Sequence, residues 1–167
     1  MSFTLFLDTT NATQNVAGRD YTWGFDFSGV ESGDYDVSFS FSSRFFTVGA
    51  ATPYNGQPTP LLNMSIQHAA NAYECDTVSN QHTSSHIGLL KYKNMQQNNA
   101  VAGTLIAQLD ADWYTNPPVF FPNISTSTNT VRLWLTQGGA GNPQFGVDTI
   151  GFMVALKFTK KESLSNL

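Results

Sequence analysis

Tyr35-Asp36-Val37-Ser38-Phe39-Ser40-Phe41 alternates apolar and polar side chains without interruption. Successive side chains of a strand project to opposite faces, so Tyr35, Val37, Phe39 and Phe41 share one face of a half-buried strand. The signal recurs on both sides of this stretch. Toward the N-terminus, Phe3, Leu5 and Leu7 alternate with Thr4 and Phe6, and Tyr21, Trp23, Phe25 and Phe27 alternate before the turn-rich segment Ser28 to Asp34. That run and the Tyr35 strand read as a hairpin. Toward the C-terminus come Leu62, Met64 and Ile66, then Ile87 to Tyr92 and Thr104 to Leu109. A short edge strand at Val119 to Phe121 follows, then Val131, Leu133 and Leu135, and a closing run from Ile150 to Phe158 whose inward face is Phe152, Val154, Leu156 and Phe158.

Polar or proline-rich stretches separate these runs. Thr9 to Asp20 reads as a loop, and Pro53, Pro58 and Pro60 keep Gly49 to Pro60 out of a sheet interior because proline lacks the N–H donor. Asn71 to Ser85 and Gly138 to Gly141 read as further connections, and the Asn/Gln-rich Asn94 to Asn99 separates two strands. No segment sustains a helical period. The pattern predicts an all-β, two-sheet antiparallel sandwich of about eight strands. Long connections such as Ala69 to His86 favour a single jelly roll over a meander. One domain is expected over residues 1–160, with a short tail over 161–167, since 167 residues fill one core but not two.

Charged residues make up 12% of the chain, against roughly 25% in ordinary soluble domains. Asn, Gln, Ser, Thr and Gly take their place, a surface suited to packing among neighbours, where each desolvated charge needs a partner. The net charge of −4 gives no general attraction for phosphate backbones, so nucleic acid is not expected as a main partner. The basic residues Lys157, Lys160 and Lys161 read as a solvated edge or tail beside a terminal strand. Cys75 is the only cysteine, which excludes an intrachain disulfide and fits a reducing site of assembly. No stretch has the length of a membrane span, and the start resembles no signal peptide, so the chain reads as cytosolically made.

Candidate chemistry is sparse. Cys75, His82 and His86 have zinc-ligand character but lack the second close pair a structural site uses, and nothing around Cys75 marks a nucleophile. The acidic pairs Asp34 and Asp36, Glu74 and Asp76, and Asp110 and Asp112 read as turn-forming or solvated groups rather than as paired acid–base carboxylates. Asn11, Asn63 and Asn123 head Asn-x-Ser/Thr sequons at about the frequency chance supplies. Trp113, Tyr114 and Trp134 are the candidate glycan-stacking or interface aromatics, with Trp23 assigned to the core stripe. These residues imply no catalytic, cofactor-binding or metal residue, no cofactor, and no enzyme. A lectin-like carbohydrate-binding β-sandwich module is the alternative function.

The Tyr35–Phe41 strand, the strand Thr130-Val131-Arg132-Leu133-Trp134-Leu135-Thr136 and the closing Phe152–Phe158 strand, in this order and spacing, resemble the single jelly-roll minor capsid and penton proteins of large icosahedral double-stranded DNA viruses. The resemblance runs loosely from Ser2 to Phe158 and rests on strand patterns. It implies a structural virion protein, located in the virion capsid and assembled in the host cytoplasm. Its partners would be copies of itself, as in a pentamer, and other capsid proteins. Major capsid proteins of that lineage are similar to two jelly rolls in tandem, whereas this chain has room for one, which points to a penton subunit or a minor component. The resemblance carries no functional site residue across.

Overall fold

The computed structural model describes residues 1–16, 20–49, 60–66, 86–100, 104–137 and 150–162. Strand β4 (Gly33–Ser43) buries Tyr35, Val37, Phe39 and Phe41, none more than 4% exposed, and turns Asp36, Ser38 and Ser40 to the opposite face. β4 is central to the first of two antiparallel sheets. Along one edge it pairs with β12 (Phe152–Lys160), which in turn pairs with β1 (Ser2–Asp8). Its other edge is shared by β9 (Thr104–Ala111) and β10 (Val119–Ile124). β5 (Phe46–Gly49) and β8 (Lys91–Gln97) pair with β9 and complete this sheet. The second sheet runs β2 (Thr13–Val16), β3 (Asp20–Gly24), β11 (Thr130–Gln137), β6 (Pro60–Ile66), β7 (His86–Leu89).

The two sheets close on an aromatic core. Phe3 of β1 stacks on Phe158 of β12 at 4.6 Å, and Phe41 of β4 meets Phe152 at 5.0 Å. Tyr21 of the second sheet sets its ring edge-on to Phe152 at 5.3 Å. Trp23 is buried, and its indole N–H donates across the sandwich to the Asp8 carbonyl at 3.0 Å, which satisfies its one polar atom. Each such ring contributes roughly 1.5–3 kcal/mol through burial alone, and the Trp23 bond ties the two sheets together where β1 ends.

Among the described residues the sandwich has twelve strands where about eight were expected, because several runs are broken by bulges and corners. Phe41 pairs with Ala111, but Phe46 pairs with Ala107, so one extra residue is accommodated across Arg44 and Phe45 and β5 continues β4 after this bulge. The Ile87–Tyr92 run changes sheet at Leu90, whose N–H donates to the Pro60 carbonyl. β7 therefore edges the second sheet and β8 the first. The Thr9–Asp20 stretch holds a short 3₁₀ turn (Thr9–Asn11) and β2, and the polar run after Asn94 is still strand as far as Gln97.

The pairing corrects one expectation and refines two others. β3 and β4 do not form a hairpin: they lie in different sheets, joined by a crossing in which the Val30 N–H donates to the Phe27 carbonyl. Among the described residues the Val119 segment has one partner, β4, as expected of an edge strand, but it runs on to Ile124 and fully buries Phe121 opposite Tyr35. β12 is an interior strand, so its lysines mark no sheet edge; Lys157 and Lys161 are solvated as expected, whereas Lys160 is partly buried. Lys160 pairs with Glu31, and Lys161 lies 3.5 Å from Asp36 and 5.3 Å from the Phe120 ring centroid.

Candidate functional site

The described surface carries three constructed features. The first is the segment between β9 and β10. There the three β4 residues 38–40 lie opposite the seven residues 112–118, so the chain must bulge out of the sheet. Asp112 organises this excursion. Its carboxylate accepts the Tyr114 N–H and the Thr115 hydroxyl, both at 2.9 Å, while its own N–H donates to the Thr115 oxygen at 3.0 Å. The Tyr114 amide first, and then the Thr115 hydroxyl, hold the Asp112 carboxyl below the usual carboxylate range.

Four residues on, Asn116 anchors the far side of the excursion. Its side-chain oxygen accepts the Leu89 N–H at 2.7 Å and its NH₂ donates to the Leu89 carbonyl at 2.9 Å. Asn116 thus acts as a backbone substitute for the exposed edge of β7 and bridges from one sheet to the other. Gly88 makes the approach possible, because a Cβ there would lie 2.5 Å from the Asn116 Cγ. Between these two fixed points Tyr114 stands 95% exposed.

The second feature is on the outer face of the second sheet. Arg132 of β11 donates from Nε and Nη2 to both carboxylate oxygens of Asp20 on β3, at 2.9 and 2.5 Å. Asp20 is buried, and its hydrogen bond to Arg132 raises the guanidinium further above its ordinary range. The same guanidinium lies 4.9 Å from the centre of the Trp134 ring, so one face of the indole is covered by a cation. Beside it, Asn63 donates to the Thr136 hydroxyl at 2.9 Å and is 1% exposed. A buried, hydrogen-bonded Asn63 is no glycan acceptor in the folded chain.

The third feature is a pocket of about 490 Å³ spread across β4, β12 and β1 to the end of β3. Its wall includes Phe6, Trp23, Phe25 and Met153, and Ser40, Ser42 and Ala155 also line it. Phe6 and Met153 are 78% and 58% exposed, which is costly for apolar side chains facing water. Asp8 also lines the pocket, and Arg44 reaches it at 3.7 Å.

The residues singled out in the sequence are dispersed among these features. Trp113 and Tyr114 sit in the excursion beside the first sheet, and Trp134 lies on β11 of the second. Cys75, His82, Glu74 and Asp76 fall outside the described residues. His86 opens β7 opposite Asn63, and among the described residues no three His, Cys, Asp or Glu side chains gather as a metal site. Asp34 accepts the Asn123 N–H, Asp36 meets Lys161, and Asp110 lies 3.4 Å from Lys93. These carboxylates hold strands and turns together.

The pocket was not among the sequence candidates, although a signal for it exists. Phe6 and Met153 are the large apolar residues on the outward faces of their strands. No protein-family model, curated protein or solved structure matches the chain.

Proposed function

We propose that this chain is a single jelly-roll structural subunit of an icosahedral virion, a penton or minor capsid component that assembles with copies of itself and with major capsid proteins. The pairing order carries the reading. β1 pairs with β12, β3 with β11, β4 with β9, and β6 with β7. These four pairs are the rungs of one long antiparallel hairpin whose arms are β1-β3-β4-β6 and β7-β9-β11-β12. Successive rungs fall alternately in the two sheets, giving β1-β12-β4-β9 in one and β3-β11-β6-β7 in the other. This winding supports the jelly-roll reading, an architecture used by viral capsid proteins and also by lectin domains.

Surface chemistry supports assembly as the task. A sandwich with few charges, two large apolar side chains exposed beside a pocket, and a rigid turn displaying one tyrosine has the makings of interfaces. The lectin-like alternative gains nothing from Trp134, whose ring already stacks with Arg132. The purified chain is expected to form discrete oligomers by light scattering, and to be found by mass spectrometry and density at defined positions of a particle shell. A strict monomer that associates with no shell component would overturn the proposal.

A further inference from the structure

We propose that Asn116 is an edge block: its side-chain amide occupies the rung of β7 that an added strand would need, and so closes this flank of the second sheet to pairing with another copy of the chain. Such a block acts wherever copies meet, in a shell or outside one.

Among the described residues β7 pairs on one side only, with β6. In an antiparallel ladder the N–H and C=O of one residue point to the same side, and those of the next residue to the other. The Leu90 N–H donates to the Pro60 carbonyl, toward β6, so both polar groups of Leu89 face the open side. A strand laid there would exchange two hydrogen bonds with Leu89. Asn116 supplies the same two, its Oδ1 accepting the Leu89 N–H at 2.7 Å and its Nδ2 donating to the Leu89 carbonyl at 2.9 Å. A side-chain amide carries the donor and the acceptor of a peptide unit, which is what the substitution requires.

The rest of this edge is closed by other means. Pairing with β6 slips at Ile87, since Leu62 faces Gly88 and Asn63 faces His86, and a bulge of this kind disrupts the ladder. Leu89 is the regular rung that remains, and β7 has no lysine or proline of its own to deter a newcomer. Leu89 is also 50% exposed, so an incoming strand would gain apolar contact there. The blocking segment ends at once. Pro117 and Pro118 follow, and neither has an N–H with which to extend the pairing. Asn116 therefore fills the rung without its segment becoming a new edge strand. Nearby edges carry more usual devices, the exposed Lys91 and Lys93 on β8, and Pro122 with a bulge on β10.

Asn116→Ala opens the rung and leaves the core residues in place, with Asn116→Ser as its replacement if the alanine variant fails to fold. Self-association by sedimentation velocity is expected to be at least about 10-fold tighter than in wild type. By hydrogen exchange, the Leu89 amide should exchange faster than in wild type in dilute solution, and become protected again at concentrations where the variant associates. Adding Leu89→Pro removes the N–H on the open side and no bond to β6, and should return association to the wild-type level; Leu89→Lys serves if the proline variant fails to fold. Arg132→Ala, which loosens the same sheet elsewhere, should leave association unchanged. The block is overturned if Asn116→Ala associates no more tightly than wild type, or if Arg132→Ala associates as tightly as it does. It is equally overturned if the gain survives Leu89→Pro or leaves the Leu89 amide exposed. Each of these failures leaves the assembly reading standing, because that reading is judged on the wild-type chain.

Discussion

Replacing Gly88 by alanine adds one methyl group, and the surroundings make it expensive. The new Cβ would stand 2.5 Å from Cγ and 2.7 Å from Oδ1 of Asn116, and 2.7 Å from Cε1 of the buried Phe39, against the 3.5–4.0 Å at which carbon atoms attract. Phe39 is packed in the core and has no room to retreat. Asn116 can move only by giving up its two bonds to Leu89. Those bonds are worth roughly 0.5–1.5 kcal/mol each, and overpacking against Phe39 adds roughly 1–3 kcal/mol. A loss of about 3 kcal/mol is expected, or roughly 6–12 °C in Tm for a domain of this size.

Urea and thermal unfolding of four proteins would read it: wild type, Gly88→Ala, Asn116→Ala and the double variant. Asn116→Ala alone forfeits the two bonds, about 1–3 kcal/mol, and clears the contacts to Cγ and Oδ1, leaving that to Phe39. The double variant should therefore be more stable than the sum of the single losses implies, by about 1 kcal/mol or more. A Gly88→Ala protein within about 0.5 kcal/mol of wild type, or strict additivity, would refute the view that Gly88 exists to admit Asn116.

Two further outcomes are expected. Arg132→Ala removes both charge-assisted bonds to the buried Asp20 carboxylate, and because the arginine is half exposed the loss should be about 1–2 kcal/mol in urea, with an altered Trp134 emission once the cation has left its ring. An unchanged midpoint would contradict this. For Asp112, the folded carboxyl titrates below its unfolded value, so its contribution to the turn is complete above about pH 4 and is lost as pH falls through the lowered folded value. The Tyr114 and Thr115 amide resonances should shift across that acid range in wild type and stay flat in Asp112→Asn; flat wild-type resonances would contradict the assignment.

Strand identity was legible wherever one face is core and the other is not. β4 and β12 alternate without exception, and the inward residues read from the sequence are the buried ones. Partnership was not legible in the same way. Nothing local distinguishes a β3–β4 hairpin from a crossing between sheets, because Ser28 to Asp34 has turn chemistry in either case. The choice is made by β11 and β12, which lie more than a hundred residues further along the chain and take the edges of β3 and β4. At the candidate surfaces, Asp112-Trp-Tyr-Thr-Asn-Pro-Pro118 was legible as a turn containing two aromatics. That Asn116 would lock it to β7 was not, because a side-chain bond to an unpaired strand edge leaves no periodic trace. The pocket assembles from four separate strands and only its misplaced apolar residues, Phe6 and Met153, were visible in advance.

The pairing of β1 with β12, from Ser2 opposite Thr159 to Asp8 opposite Met153, also sets a timetable. During synthesis at roughly 5–20 residues per second, β1 waits on the order of ten to thirty seconds for β12, its neighbour among the described strands, to be made. Throughout that interval Phe3, Leu5, Phe6 and Leu7 form a short apolar segment with an open edge, the kind of sequence that pairs with other chains when its own partner is late. The second sheet has all its described strands once β11 is made, but the first stays split, with β1 apart from β4, until β12 arrives. Crowded nascent copies, more than the finished subunit, are where mispairing would begin.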